Sequence, residues 1–286
     1  MNTTENITGT AQQLDGVSFR LAKPHDFSFV ARYGSVTEVY DDQDSGNICF
    51  CTERGSERFF IKYAGAQTMR MTGTTADAQN RLRNALTVWQ TLRHPSLARF
   101  ICAEETDFGF ALVFERYDAE CMGRQYPQSR AKFFSLPISA RLGVFSDILS
   151  FLAYTASMGY AAIDFYDGSV MYDFAKNRTV ICDIDFFRKM PAVNDMGRMW
   201  GSSRFMSPEE FAISSPLDEV TNIYTAGAFA FALFADCIRT RESWPLGDAA
   251  YNAAAKAVRD DRSERWQSIA EFASAWEAAV KNQRTP

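Results

Sequence analysis

Four aspartates, Asp164, Asp167, Asp183 and Asp185, fall inside the stretch YAAIDFYDGSVMYDFAKNRTVICDIDFF, Tyr160 to Phe187. Carboxylates that share a site repel one another unless a cation or a donated proton neutralises them, so such a cluster suggests a metal site or a proton-transfer site. Two short apolar runs lie between the acids, Ser169 to Tyr172 and Thr179 to Cys182, with Lys176, Asn177 and Arg178 as the turn. If the runs pair as a hairpin, all four carboxylates gather at one end of it. The plainer alternative is that they are polar turn residues flanking two strands.

The rest of the chain must place that hairpin. Its 286 residues are enough for one large domain or two lobes, and 47% hydrophobic with 23% charged residues is the balance of an ordinary globular protein. Acidic residues number 35 against 30 basic, a net charge of -5, with no Lys or Arg run. That argues against nucleic acid or an anionic membrane as the main partner. The first sixteen residues, MNTTENITGTAQQLDG, read as a polar tail with no secretory signal, and the apolar run Ala226 to Ala235 is too short to span a bilayer. Six scattered cysteines lack metal-ligand spacing; Cys49 and Cys51 are expected to pack on one strand face, and reduced thiols suit a cytoplasmic location.

The chain changes character near residue 118. Before it, Phe27 to Tyr40, Asn47 to Thr52, Arg58 to Tyr63, Ala98 to Ala103 and Phe108 to Glu115 read as strands, separated by turn signals such as DDQDSG and ERGSE. One helix is expected in RLRNALTVWQTLRHP, where Leu82, Leu86, Trp89 and Leu92 recur at helical spacing up to Pro95. After it the hairpin is the exception among helices. Ile138 to Met158 is amphipathic and stops at Gly159, Ile223 to Phe234 is apolar all round and so expected to be buried, and Ala249 to Val258 and Ser268 to Val280 read as surface helices. The expected fold class is α+β, with a tail over 1–16, a small antiparallel β lobe with one main helix over 17–117, and a larger helical lobe over 118–286.

Motifs in this order resemble those of the eukaryotic-like serine/threonine protein kinases. Phe60-Ile61-Lys62 resembles the third-strand motif whose lysine holds the nucleotide phosphates, and Gly46 with Ile48 resembles the end of the phosphate-covering loop. His94-Pro95 resembles the turn after the family's helix C, and Leu112 to Tyr117 the hinge, with Phe114 as gatekeeper. Ala162-Ile163-Asp164 resembles the His-Arg-Asp of the catalytic loop, and Cys182-Asp183-Ile184-Asp185 the metal-binding Asp-Phe-Gly region. GSSRFMSPEE, Gly201 to Glu210, is similar to the end of an activation segment, an ending that aminoglycoside and choline phosphotransferases lack. Asn222 to Gly227 resembles the start of the buried helix F, and Arg265 stands where the family's arginine pairs with the glutamate here numbered Glu209.

The resemblance implies a bilobal protein-kinase-like fold and transfer of a γ-phosphoryl group from ATP, with Mg2+ or Mn2+, to a protein hydroxyl. It assigns Asp164 and Lys62 to catalysis and Gly46, Ile48, Phe60, Lys62, Phe114, Glu115 and Tyr117 to the nucleotide. The cation goes to Asp183 and Ser169, with Asp185 and Asp167 as alternative ligands. The partner implied is a protein substrate or a signalling protein. Departures from the pattern support a second reading, a pseudokinase that binds nucleotide or scaffolds partners with little or no transfer. Ala85 stands at the helix C glutamate's position, Ser169 at an asparagine's, Tyr166 at a lysine's, and Asp41 and Gln43 at covering-loop glycines'.

Overall fold

The computed structural model describes residues 9–43 and 45–281 and has an α+β architecture built on several small antiparallel sheets. The chain divides into two units, one formed by 1–91 with Ala98–Tyr117, the other by Leu92–Leu97 with 118–286.

The first unit opens with a hairpin, β1 (Thr10–Leu14) and β2 (Val17–Leu21). This corrects the expectation of a polar tail through residue 16; the first eight residues lie outside the described ones. Asp15 and Gly16 both take positive φ, 48° and 86°, as a two-residue turn matched to strand twist requires. The Gln12 side chain fastens the hairpin by bonding the backbone of His25 in both directions, 2.8 and 2.9 Å. A second correction follows at Ser28–Tyr33, which is a 3-10 helix rather than strand. Its start is set by Asp26, whose carboxylate accepts the Ser28 N–H at 2.8 Å, and it buries Phe29 and Val30.

Extended backbone resumes in β3 (Ser35–Tyr40), then β4 (Asn47–Arg54) and β5 (Glu57–Ala64). The helix α1 (Thr75–Thr91) comes next, before β6 (Phe100–Thr106) and β7 (Gly109–Glu115). These strands form one antiparallel sheet in the order β3-β4-β5-β7-β6. Thr74 and Asp77 cap α1 reciprocally, at 3.1 Å each way, so the helix begins earlier than its apolar spacing suggests. It lays Leu82, Ala85, Val88 and Trp89 against the sheet. The other face packs on Phe19, Phe27 and Val30 through Ile48, Phe50, Ile61, Tyr63 and Val113.

The second unit is organised by α4 (Glu219–Ala235), which is buried continuously from Thr221 to Ala235. Asp218 caps it, accepting the Val220 N–H at 2.8 Å, and Asp236 ends it in the left-handed conformation. Around it pack α3 (Ile138–Ser157), α5 (Asp248–Ala257) and α6 (Ile269–Val280), meeting in an aromatic core where Phe145 and Trp276 stand 4.6 Å apart. Each such ring contributes roughly 1.5–3 kcal/mol by leaving water. The remaining pieces are β8 (Glu120–Cys121), α2 (Pro127–Phe134), β9 (Tyr160–Ala161), and the hairpin β10 (Val170–Asp173) with β11 (Arg178–Ile181). Three two-residue strands complete the unit, β12 (Arg188–Lys189), β13 (Ala192–Val193) and β14 (Pro216–Leu217). Among the described residues, no single helix is long and apolar enough to cross a membrane.

Candidate functional site

The acidic hairpin forms as its sequence suggests. Val170 pairs with Ile181 and Asp173 with Arg178, and Asn177 makes the turn with φ 49°. The segments carrying Asp164 and Asp167 and those carrying Asp183 and Asp185 therefore emerge at the same end. Two outside supports fix it: the Thr179 hydroxyl donates to Asp147 of α3 at 2.6 Å, and the Ile181 N–H donates to the Ser96 carbonyl at 2.6 Å.

Asn222, wholly buried on α4, holds the approach to Asp164. Its Oδ1 accepts the Ala162 N–H at 2.7 Å and its Nδ2 donates to the Tyr160 carbonyl at 3.0 Å. Asp164 then turns left-handed, φ 59°, a strained state for a residue with a Cβ and one that persists only where neighbours enforce it. The Ser169 hydroxyl is one such neighbour, donating to the Asp164 carbonyl at 3.3 Å. Gly201 is another: a Cβ built there would lie 3.2 Å from Asp164 Oδ1, and φ +126° at that position excludes other residues on strain alone. Asp164 thereby lines a small recess with Phe165, Gly201, Ser202, Phe205 and Glu210.

Tyr166 reports where the other acids lie. Burial pushes its hydroxyl well above the usual tyrosine range, and the charges of Asp164, Asp183 and Asp167 add to the shift. Cys121 behaves likewise; burial raises its thiol to about 11, opposed by the Gly123 N–H and aided by Asp167 and Asp183. The Ser169 carbonyl accepts the Cys182 N–H at 2.9 Å, which ties the loop of Asp164 to the one carrying Asp183. Between Asp183 and Asp185 the buried Ile184 anchors the chain, leaving both aspartates half-buried.

Asp167 has a different task from the one its spacing suggested. Its side chain is 1% exposed, and both oxygens are taken by guanidiniums: Arg130 Nη1 at 2.9 Å, and Arg204 Nη1 and Nη2 at 2.7 and 2.8 Å. As an alternative metal ligand it is therefore set aside, since a cation would have to displace both arginines. Ser169 is fully buried, with its hydroxyl engaged inside the loop. Among the described residues no group of three or more His, Cys, Asp or Glu is arranged to hold a metal ion. One or two carboxylates that leave the remaining positions to phosphate oxygens and water suit magnesium, and Asp183 and Asp185 are of that kind.

The first unit carries the other candidates. Across the sheet Lys62 pairs with Cys49 and Leu112, and Phe60 with Cys51 and Phe114. Side chains directly opposite share a face, so Lys62, Phe60, Leu112, Phe114, Cys49 and Cys51 stand on one face and Ile48 on the other. Ile48 is fully buried in the cluster with Ile61 and Tyr63, which corrects its assignment to the nucleotide; Cys49 occupies the place beside Lys62. Cys51 on that face is a neutral thiol, raised by burial to about 11. Phe114 is buried against Trp89 of α1 at 4.5 Å, and Ala85 is also wholly buried on that helix. Arg99 engages Glu115 at 2.9 Å, and its N–H donates to the Tyr117 hydroxyl at 3.2 Å.

Gly46 closes the acidic turn with φ 79°, and a Cβ there would sit 2.9 Å from Met71 Cγ. Two carboxylates of that turn are already engaged. Asp41 accepts the Arg20 N–H at 2.6 Å and Asp42 pairs with Arg70 at 3.2 Å, while Asp44 lies outside the described residues.

Glu209 and Arg265, paired in expectation by the motif order, do meet. Glu209, 3% exposed, takes Arg265 in a two-pronged pair, 2.8 Å to Oε1 and 3.0 Å to Oε2. Arg262 joins it at 2.6 Å and bridges onward to Asp218 at 2.7 Å, a contact that the sequence reading missed. Beside it Glu210 accepts the N–H and hydroxyl of Ser207, at 2.7 and 2.9 Å. Burial nevertheless raises its carboxyl to about 7, with the two Ser207 bonds opposing and the charge of Glu209 adding. No protein-family model matches this chain, and comparison with curated protein sequences likewise finds no match.

Proposed function

We propose that this protein is a divergent ATP-dependent serine/threonine protein kinase with the bilobal kinase-like arrangement. The observation that carries the reading is the convergence of Asp164 and Asp183 on Tyr166 at one end of the hairpin, with Asp164 held in a strained backbone state. Phosphoryl transfer demands positioning and charge neutralisation more than covalent help. Asp164, which lines the recess, would accept a hydrogen bond from an acceptor hydroxyl and orient it for attack. Asp183, with Asp185 beside it, is the cation holder, and bound Mg2+ would offset the charge on the phosphate oxygens. Lys62, on a sheet face it shares with Phe60, Leu112, Phe114, Cys49 and Cys51, takes the phosphate-binding role, with the apolar side chains of that face for the base.

One observation favours a second reading, a pseudokinase with a binding or scaffolding role. Ala85 is wholly buried where a lysine-holding glutamate would stand, and α1 carries no glutamate at all. The test is incubation of the purified protein with labelled ATP, Mg2+ or Mn2+ and a generic protein acceptor, beside an Asp164→Asn control. Slow transfer that the substitution lowers by roughly 10²–10⁴-fold is expected. No transfer, with no rise in melting temperature on adding nucleotide, would sink the enzyme reading.

A further inference from the structure

In the second unit the stretches 193–200 and 209–217 run side by side as a ribbon. Val193 of β13 pairs with Pro216 of β14, the Asn194 N–H donates to the Ser215 carbonyl at 2.9 Å, and the Ser214 N–H returns to the Asn194 carbonyl at 2.7 Å. Further along, the Arg198 guanidinium lies 6.0 Å over the Phe211 ring, and the Met199 N–H donates to the Glu210 carbonyl at 2.9 Å. Asn194, wholly buried, locks the ribbon from within. Its Oδ1 accepts the N–H groups of Met196 and Gly197, and its Nδ2 donates to the carbonyls of Gly197 and Glu209. Backbone held at so many points offers its outer side chains already ordered, which lowers the cost of binding.

Those outer side chains are apolar. Ten large apolar side chains are exposed among the described residues, and five of them, Val193, Met196, Trp200, Phe211 and Ile213, fall on this ribbon, 39% to 67% exposed. With roughly 150–250 Å² for a whole residue of such size, they leave on the order of 500 Å² in water. The largest patch of a lone chain spans about 300–600 Å², and patches of that size mark interaction sites. One side of a stable interface covers about 800 Å², so the ribbon is large enough to be the apolar centre of one, inside a polar rim.

Both signs of charge stand within it. Asp195 is exposed and accepts from Arg188 at 2.8 Å, and Arg198 is exposed and donates to the carbonyls of Met199 and Gly201. The neighbouring Glu209 and Asp218 are answered by Arg262 and Arg265, and Glu210 is buried. A surface of one sign selects a partner of the other; an apolar ribbon with an acid and a base three residues apart suits a surface that carries the same pair. This chain is itself such a surface. In a twofold pairing every contact occurs twice, so an axis passing between Asp195 and Arg198 sets each against its opposite on the second copy.

We infer that this protein forms a symmetric dimer through the ribbon, burying its five exposed apolar side chains and pairing Asp195 of one copy with Arg198 of the other. Dimerisation needs neither nucleotide nor turnover, so it stands or falls apart from the phosphoryl-transfer reading. The test is sedimentation equilibrium of the full chain from about 1 to 100 μM, a range that brackets a micromolar Kd. The mass should climb from 32.2 kDa toward twice that value. Ile213→Glu puts a charge where the interface must be dry, and should raise the dimer Kd at least about tenfold at an unchanged monomer melting temperature. Asp195→Arg and Arg198→Asp should each weaken self-association, since each sets like charges together. Mixed one to one, the two variants should dimerise again, because the mixed pair restores both opposite-charge contacts.

A single mass of 32.2 kDa across the range overturns the inference. So does a dimer that Ile213→Glu leaves intact, which would lie elsewhere on the chain, or a mixture that associates no better than either charge variant alone. The ribbon also reaches the recess, which Glu210 lines. A monomer whose transfer to a protein acceptor falls with Ile213→Glu would therefore make the ribbon a dock for the acceptor and not for a second copy.

Discussion

Two stretches of the second unit each carry clustered carboxylates, and they are handled in opposite ways. Around Ser207–Phe211, Glu209 is buried and saturated by Arg265, Arg262 and Thr221. At the end of the β10–β11 hairpin, Asp164, Asp183 and Asp185 are half-buried, the charges of the first two act on Tyr166, and Asp164 sits in a strained backbone state beside a recess. A carboxylate locked between guanidiniums is architecture, because removing either partner strands a buried charge. Half-buried carboxylates gathered beside one strained backbone position are the arrangement more often met at functional sites. Asp167 shows that sequence neighbours can fall on opposite sides of this divide: three residues from Asp164, it belongs with Glu209.

The contrast can be broken experimentally, and the largest effect should come from the locked side. Arg265→Ala should cost about 3–5 kcal/mol in chemical denaturation of the full chain, since Glu209 would be left buried with half its partners. A loss under about 1 kcal/mol would show the pair to be dispensable. Glu210 should give an effect on the order of 3 kcal/mol that depends on pH, because its folded carboxyl titrates near 7 and an unfolded one near 4.5. The folded state favours its protonated form, so this contribution is fully present below about pH 4.5, is lost as pH rises to about 7, and is flat above. Glu210→Gln should therefore raise the melting temperature relative to wild type at pH 8 and lose that advantage at pH 5. A pH-independent difference would contradict the burial argument.

Asp167→Asn should destabilise by roughly 2 kcal/mol, because one acceptor oxygen and the packing survive while the charge between two guanidiniums is lost. The smallest stability effect belongs to the other side. Asp164→Asn should stay within about 0.5 kcal/mol of wild type, since asparagine tolerates left-handed backbone at least as well, while on the proposed phosphoryl-transfer reading any transfer should fall sharply. A large loss of stability from that substitution would erase the distinction between the two clusters.

Much of this contrast was legible in the sequence. The hairpin, the shared end of the carboxylates, the buried helix around Ile223 and the Glu209–Arg265 pair all follow from spacing or from motif order. The partners of Asp167 did not, because Arg130 and Arg204 lie on other elements and only the folded chain brings them together. Ile48 was misassigned for a related reason. Strand alternation fixes which residues share a face within β4, but its register against β5 decides which face Lys62 takes. The N-terminal hairpin left a signal that composition hid: Asp15-Gly16 between QQL and VSF is a turn between two alternating segments. The 3-10 turn at Ser28–Tyr33 is masked by its aromatic and β-branched residues, which read equally well as strand.

The segment Leu92–Leu97 has a consequence for synthesis. It is translated between α1 and β6, inside the stretch that builds the first unit, yet it belongs with the second, where Ser96 accepts the Ile181 N–H. On the ribosome it emerges long before β11 exists and must wait without that partner. The five-stranded sheet cannot close before it either, since β7, which pairs with β5, is made after it. Neither unit is therefore a finished product of one uninterrupted stretch of chain, and a stop codon or protease cut between residues 91 and 98 would leave two fragments that each lack a part the other encodes.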